Sequence, residues 1–176
     1  SANIILSAKD GRQSRLLQEL KDKHLQLVQA SKLASMGELS SGIAAFTAKE
    51  FGRAMHMLSP LAEAGEPEAQ FRVAIMHQNG LGVVANPDKA LQVMRAAAEA
   101  GHPLAQHGLA FMYLYDEKID RDVVEAVRWL ELAVEQGLHG AMTVLAELYA
   151  KGDGVPQDTA RARRLYAQAG FDQNGQ

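Results

Sequence analysis

Apolar residues recur at three- and four-residue steps along most of the chain, in blocks separated by short polar or glycine-rich turns. The blocks "EAQFRVAIMHQN", "LAQHGLAFMYLY" and "GAMTVLAELYAK" show this spacing, which is that of an amphipathic α-helix. A second block follows each turn: "KALQVMRAAAEAG", "EAVRWLELAVEQG" and "ARARRLYAQAG". The pattern therefore predicts an all-α protein built of helix pairs.

The helix pairs repeat with a period of 36 residues. Small residues keep this step: Gly65, Gly101 and Gly137; Ala69, Ala105 and Ala141; and Ala54, Ala90, Ala126 and Ala162. Small side chains let paired helices approach closely, and one pair cannot cover its own apolar face, so consecutive pairs should stack. The predicted array covers residues 36–170, with repeats at about 36–66, 67–102, 103–138 and 139–170.

Turn chemistry fits the same register. Asn86, Asp122 and Asp158 each stand four residues before an in-phase alanine, where a side-chain oxygen can cap the first turn of a helix. The turns "NGLGV" and "KGDGV" carry the glycines that such turns need, whereas the middle turn, "YDEKIDRDVV", has none. We therefore expect a different shape for the middle turn.

Two stretches, "AQFRVAIMHQNGLGV" and "AMTVLAELYAKGDGV", together with the capped helices that follow them, resemble the Sel-one-like repeat family, which is related to the tetratricopeptide repeat. The resemblance covers about three quarters of the chain. It implies a right-handed α/α superhelical solenoid used as a protein-interaction scaffold.

The segment before the array is predicted to be a coiled-coil-like helix over residues 12–35. It contains no proline or glycine, and Leu20, Leu27 and Ala34 recur at seven-residue steps. Residues 1–11 are expected to be a poorly ordered leader, and residues 171–176 a tail.

Part of this segment, "LVQASKLASMGELSSGIA", resembles the dimerisation helix of sensor histidine kinases. In that family the motif continues with Gly-Ile-Ala-His-Glu, but here Ala45 follows Gly42-Ile43-Ala44. Phosphotransfer needs an imidazole nitrogen as nucleophile, so kinase activity is excluded. Dimerisation through residues 12–35 stays open.

Residues 36–48 also serve as the first helix of the array. Met36, Leu39, Ile43 and Phe46 step by three, four and three residues, and we expect this stripe to pack on Met55 and Leu58. A Ser35–Glu38 capping box would bend the chain, but one uninterrupted helix from about residue 12 is favoured, with Gly37 and Gly42 as weak points.

Composition narrows the classes of function. The chain has 176 residues, a net charge of −3 and no cysteine, which excludes disulfides, thiolate zinc sites and cysteine nucleophiles, and gives no case for nucleic-acid binding. No membrane span is predicted, and no cofactor or metal site is expected, since the histidines lack ligand spacing. The lack of a visible signal peptide favours the cytoplasm, unless a leader directing periplasmic transport or secretion was removed.

Function is expected to reside in a groove. In tetratricopeptide-like arrays the first helix of each pair lines the concave surface. In this chain the groove positions of the middle repeat are unusually apolar. Transferred by the motif, the partner-binding residues are Phe71, Ile75, Gln78, Asn79, His107, Phe111, Leu114, Tyr115, Thr143, Glu147 and Lys151, with Glu68, Leu104 and Ala150 beside them. Coverage of these residues by neighbouring helices is the alternative.

Two functions follow from these observations. The first is a non-enzymatic scaffold that binds a peptide or protein in the groove. The second is a regulatory dimer in which residues 12–48 pair and the repeats act as a docking or output module. Enzyme activity is not predicted, because no nucleophile–base set or carboxylate pair stands out.

Overall fold

The computed structural model describes residues 2–171, and these residues form helices joined by turns. In chain order the helices are α1 (Ala2–Thr47), α2 (Phe51–Glu63), α3 (Pro67–Asn79), α4 (Pro87–Glu99), α5 (Pro103–Tyr115), α6 (Val123–Glu135), α7 (His139–Lys151) and α8 (Thr159–Gln168). The chain divides into two compact units, residues 1–40 and residues 41–176. The prediction of an all-α fold is confirmed.

The first unit is helical from Ala2 onward, so the helix begins earlier than the predicted boundary at residue 12. A reason lies in the sequence: residues 2–10 lack proline and glycine, and extending an existing helix is far easier than nucleating one. Helix α1 has no break at Ser35, as predicted. Within the predicted tail, Phe171 is exposed, and residues 172–176 lie outside the described part of the chain.

The second unit is an α/α solenoid in which each helix packs on the next. Its in-phase alanines, such as Ala90 and Ala126, are fully buried, which brings the helix backbones together. Larger side chains fill the remaining space and are also buried: Leu58, Met76, Met94, Leu109, Met112, Leu130 and Leu145. The 36-residue period is thus a packing period.

The predicted helix caps form. The side chains of Asn86, Asp122 and Asp158 accept hydrogen bonds of 2.9–3.0 Å from backbone amides three residues ahead. Gly82 is needed twice over, since its φ is +66° and a Cβ there would lie 2.5 Å from the carbonyl carbon of Phe51. The middle turn has no left-handed residue and is instead fixed by the Asp116 side chain, which accepts from the amide of Lys118 at 2.9 Å.

The start of the second unit corrects one expectation. The buried residues of the last turns of α1 are Gly42 and Ala45, whereas Ile43 and Phe46 are half-buried and Met36 is 55% exposed. Gly42 is not a weak point, because it allows the helix to approach Leu58 so closely that a Cβ would lie 2.5 Å from the Leu58 Cδ2 atom. The smallest residues, rather than the apolar stripe, therefore make the tightest contact.

Phe46 completes this end of the second unit. Its ring meets the Phe51 ring edge-on at a centroid distance of 5.6 Å, and the Arg72 guanidinium lies 4.9 Å from the Phe46 centroid. Residues 41–47 are therefore tied both to α2 and to α3.

Candidate functional site

The predicted groove residues lie on the first helices of the pairs, α3, α5 and α7, and most of them have accessible side chains. Asn79, Phe111, Tyr115 and Lys151 are exposed. The half-buried members are Phe71, Ile75, Gln78, His107, Thr143 and Glu147.

Leu114 departs from the predicted set. Its side chain is only 5% exposed and belongs to the hydrophobic core, so it cannot contact a partner. Every position on α5 from Leu109 to Tyr115 is apolar, and periodicity therefore could not separate its outer face from its inner face.

The most exposed apolar part of α5 is a pair of aromatic rings. Phe111 and Tyr115 are 49% and 50% exposed, and their centroids lie 4.7 Å apart at an interplanar angle of 54°. With Gln78 and Asn79 of α3 they line an open depression of about 370 Å³. We call these four residues the aromatic patch.

The aromatic patch itself carries polar groups. The Asn79 side-chain amide donates to the Ile75 carbonyl at 2.9 Å, which fixes its orientation and leaves its side-chain oxygen directed away from that bond. Burial raises the pKa of Tyr115, and the carboxylates of Glu147 and Asp153 raise it further. The Tyr115 hydroxyl therefore stays protonated and remains a hydrogen-bond donor at neutral pH.

Residues of the middle turn also line the depression, and the groove prediction did not include them. They are Asp116, Glu117 and Lys118. The available signal was the loss of both turn glycines in this repeat, which replaces a compact turn with charged side chains.

Phe71 is held in place by a polar cluster between α3 and the start of α5. Its ring stacks on the His102 ring at a centroid distance of 5.0 Å. The His102 Nε2 atom lies 2.6 Å from a Glu68 carboxylate oxygen, and the Arg72 Nε atom donates to the other oxygen at 2.7 Å. Burial acts to raise the pKa of Glu68, but these two hydrogen bonds outweigh it and leave that pKa lowered.

His102 also has a capping role. Its Nδ1 atom accepts from the Ala105 amide at 3.2 Å, so a proton on the neutral ring sits on Nε2, which faces Glu68. The ring therefore links two consecutive repeats and presents one face to Phe71. This histidine is a structural residue.

Two other classes of site are absent from residues 2–171. No group of three or more His, Asp or Glu side chains is arranged to hold a metal ion in this part of the chain. Its helices include none with the length and apolarity of a membrane span.

Comparison with known proteins identifies the repeats. The sequence model of the Sel1 repeat matches residues 67–102, 103–138 and 139–170, which is more than half of the chain. The chain belongs to the Sel1 repeat family. The matched ranges coincide with three of the four repeats predicted from the 36-residue period.

Two solved structures are similar in fold and sequence. A Sel1 repeat protein from Oxalobacter formigenes is 31% identical with a TM-score of 0.71, and the match covers 76% of this chain and 53% of that one. The protein c5321, a protective antigen of uropathogenic Escherichia coli strains displaying an SLR fold, is 31% identical with a TM-score of 0.73, covering 82% and 32%. This Sel1 repeat chain thus spans about half of the first protein and about a third of the second. No curated protein sequence matches it.

The resemblance of the N-terminal segment to a kinase helix gains no support from these matches. The family match begins at residue 67, and both similar structures are repeat proteins. At the position where that motif carries histidine, Ala45 is 3% exposed and packed in the first repeat.

Proposed function

We propose that this Sel1 repeat protein is a non-enzymatic interaction scaffold that binds a peptide or protein segment at the aromatic patch and the adjoining faces of α3, α5 and α7. Family membership supports the general role, because Sel1 repeats typically mediate protein–protein interaction. The place of binding is inferred from exposure and residue type.

The paired rings of Phe111 and Tyr115 are the observation that carries the proposal. Aromatic residues are enriched at protein–protein interfaces, and truncation of a hot-spot residue such as tyrosine weakens the binding free energy by about 2 kcal/mol or more. Gln78 and the Tyr115 hydroxyl provide hydrogen-bonding groups beside the rings. A ligand that inserts an apolar side chain between α3 and α5 would satisfy both features.

A random peptide library selected on the chain supplies ligands for a direct test. Peptide binding should shift the backbone amide resonances of residues 75–79 and 107–118 in nuclear magnetic resonance spectra. The double variant Phe111→Ala and Tyr115→Ala should weaken binding by at least about tenfold, because it removes the central contact.

Val124→Ala is the matched control, since Val124 is 76% exposed on α6 and does not line the depression at the aromatic patch. It should leave affinity unchanged. Peptides that bind the double variant as tightly as the wild type, or that shift only residues of α4 and α6, would contradict the proposed surface.

A regulatory dimer is the second candidate, and the exposure of apolar residues on α1 favours it. Leu17, Leu20 and Leu27 are 59%, 64% and 70% exposed, although leucine gains about 2 kcal/mol from full burial. Pairing of two α1 helices would cover these side chains.

Light scattering tests this second candidate. The intact chain should have twice the mass expected of one copy, and a version beginning at Ser35 should be a monomer. Equal oligomeric states for the two versions would rule out dimerisation through residues 12–35.

A further inference from the structure

A second cavity lies between α2, α3 and α4, and two of its lining residues carry buried polar atoms that lack partners. Its volume is about 200 Å³, and the polar residues around it are Ser59, Glu63, Gln70, His77, Lys89 and Gln92. Among the described residues no hydrogen-bond partner reaches the Gln70 Oε1 atom or the His77 Nδ1 atom. Buried polar atoms are rarely left unpaired, because they lose their hydrogen bonds to water without a replacement.

Comparison with the equivalent positions of the next two repeats shows that His77 lacks a polar partner. His77 occupies the position of Tyr113 and Tyr149 in the next two repeats. The Tyr113 hydroxyl is hydrogen-bonded to the Arg95 guanidinium, and the Tyr149 hydroxyl lies 3.5 Å from a Glu131 carboxylate oxygen. Both tyrosines therefore have a polar partner on the preceding second helix, whereas His77 has none.

The residue in register with Arg95 and Glu131 is Ser59. Serine is too short to cross the gap, and its hydroxyl donates instead to the Met55 sulfur in its own helix at 2.9 Å. The first repeat therefore lacks the charged side chain that the following two repeats place at this point.

Lys89 has no carboxylate partner, whereas the equivalent residue two repeats later has one. Its counterpart two repeats later is Arg161, whose guanidinium contacts a Glu131 carboxylate oxygen at 2.7 Å and lies 4.5 Å from the Tyr149 centroid. Within residues 2–171 no carboxylate oxygen comes within 4.0 Å of the Lys89 ammonium. Glu63 lines the cavity without making this contact.

The Gln70 side-chain oxygen also lacks the hydrogen-bond partner that its counterpart has in the next repeat. Its counterpart Gln106 accepts a 2.8 Å hydrogen bond from the Gln136 side chain, which follows the second helix of the same repeat. The residue in register with Gln136 is Ala100, which has no polar side chain. The Gln70 amide nitrogen donates to the Ala62 carbonyl at 3.2 Å, so its oxygen is the side-chain atom left without a partner.

We propose that this cavity is a binding site for a carboxylate group whose carrier also has a hydrogen-bond donor. The carboxylate would take the place that Glu131 fills two repeats later, accepting from the Lys89 ammonium and from the His77 Nδ1–H. The donor would pair with the Gln70 Oε1 atom. Such chemistry belongs to a small hydroxy or amino acid, or to an acidic side chain in a peptide.

Charge and size agree with this ligand class. Burial, followed by the charge of Lys89, lowers the pKa of His77, so the imidazole is neutral near pH 7 and its Nδ1–H tautomer can donate. The volume of about 200 Å³ holds about six water-sized volumes, which is room for a short organic acid. The site lies between α2 and α4, apart from the aromatic patch, and does not depend on the proposed function.

Titration of the His77 ring resonances provides the test, with sodium acetate, sodium glycolate and sodium chloride compared at equal ionic strength. Acetate and glycolate should shift the ring resonances to saturation, whereas chloride should not. Glycolate should bind several-fold more tightly than acetate, because its hydroxyl adds a hydrogen bond to the Gln70 oxygen. Equal responses to all three salts would overturn the proposal.

Two variants locate the bound carboxylate. Ser59→Glu supplies it from the chain itself and should abolish the acetate response, and Lys89→Gln should weaken acetate binding about tenfold by removing the charged donor. Lys9→Gln, which alters an exposed lysine on α1, is the control and should change nothing. If Ser59→Glu does not fold, Lys89→Gln decides, and an unchanged acetate affinity in that variant overturns the proposal.

The source of the carboxylate is distinguished by a blocked tripeptide, acetyl-Gly-Glu-Gly-amide, with its glutamine analogue as control. If the glutamate peptide binds saturably and the glutamine peptide does not, the ligand is an acidic side chain of a partner protein. Binding of acetate and glycolate but of neither peptide supports a free small acid. Absence of binding by any of these carboxylates would mean that only water occupies the cavity.

Discussion

Replacement of Gly42 by alanine gives the sharpest test of how the first repeat is packed. The added Cβ would lie 2.5 Å from the Cδ2 atom and 2.8 Å from the Cγ atom of Leu58, which is fully buried, so that side chain would have to shift within the core. Overpacking of this kind costs about 1–3 kcal/mol. Alanine recovers about 0.5–1 kcal/mol of helix propensity, so we expect a net loss of about 1 kcal/mol.

Gly52→Ala is the matched control, because Gly52 is also helical and a Cβ there meets nothing within 4 Å. Thermal unfolding followed by circular dichroism should show a midpoint lower by about 3 °C for Gly42→Ala, and an unchanged or higher midpoint for Gly52→Ala. Hydrogen exchange should place the loss of protection in residues 41–62. A midpoint raised equally by both substitutions would refute the close contact between Gly42 and Leu58.

The remaining predictions concern the repeat interior and its pH dependence. Ala126→Leu should lower the free energy of unfolding by about 1–3 kcal/mol, because Ala126 is fully buried between helices. Ala85→Leu should change that free energy little, since Ala85 is an exposed turn residue. Equal urea midpoints for the two variants would contradict this prediction. Because the pKa of Glu68 is lowered below 4.5 in the folded chain, its ionised form contributes stability above pH 4.5 that is lost as pH falls through the folded pKa. The stability excess of the wild type over Glu68→Gln should therefore shrink below pH 4.5. An excess that does not change with pH would show that ionisation of Glu68 does not stabilise the folded chain.

The repeat architecture was predictable because its determinants are local or periodic. A cap such as Asn86 binds an amide three residues away, and a turn glycine adopts the positive φ that the backbone has at its own position. The in-phase alanines mark where helices approach, so they disclose the packing period without a structure. The extent of α1 was underestimated, because helical continuity from Ala2 depends on propagation rather than on a distinctive signal.

The candidate binding surface was predicted only in part. The motif placed Phe111 and Tyr115 on the accessible side of α5, where they are half exposed. It failed for Leu114, since a helix face that is apolar all round gives no hint of which residues the next repeat covers. The middle-turn residues were missed because their position depends on the path of the chain between helices.

The sequence by itself determined the helices, their caps and the 36-residue stacking order, because each of these follows from residue type and spacing along one chain. Tertiary structure alone decided which side chains meet across helices. Ser59, His77 and Lys89 stand on three different helices, and only the packing of those helices brings them to one cavity. Burial and hydrogen-bond partners depend on distances between helices, which no periodicity specifies.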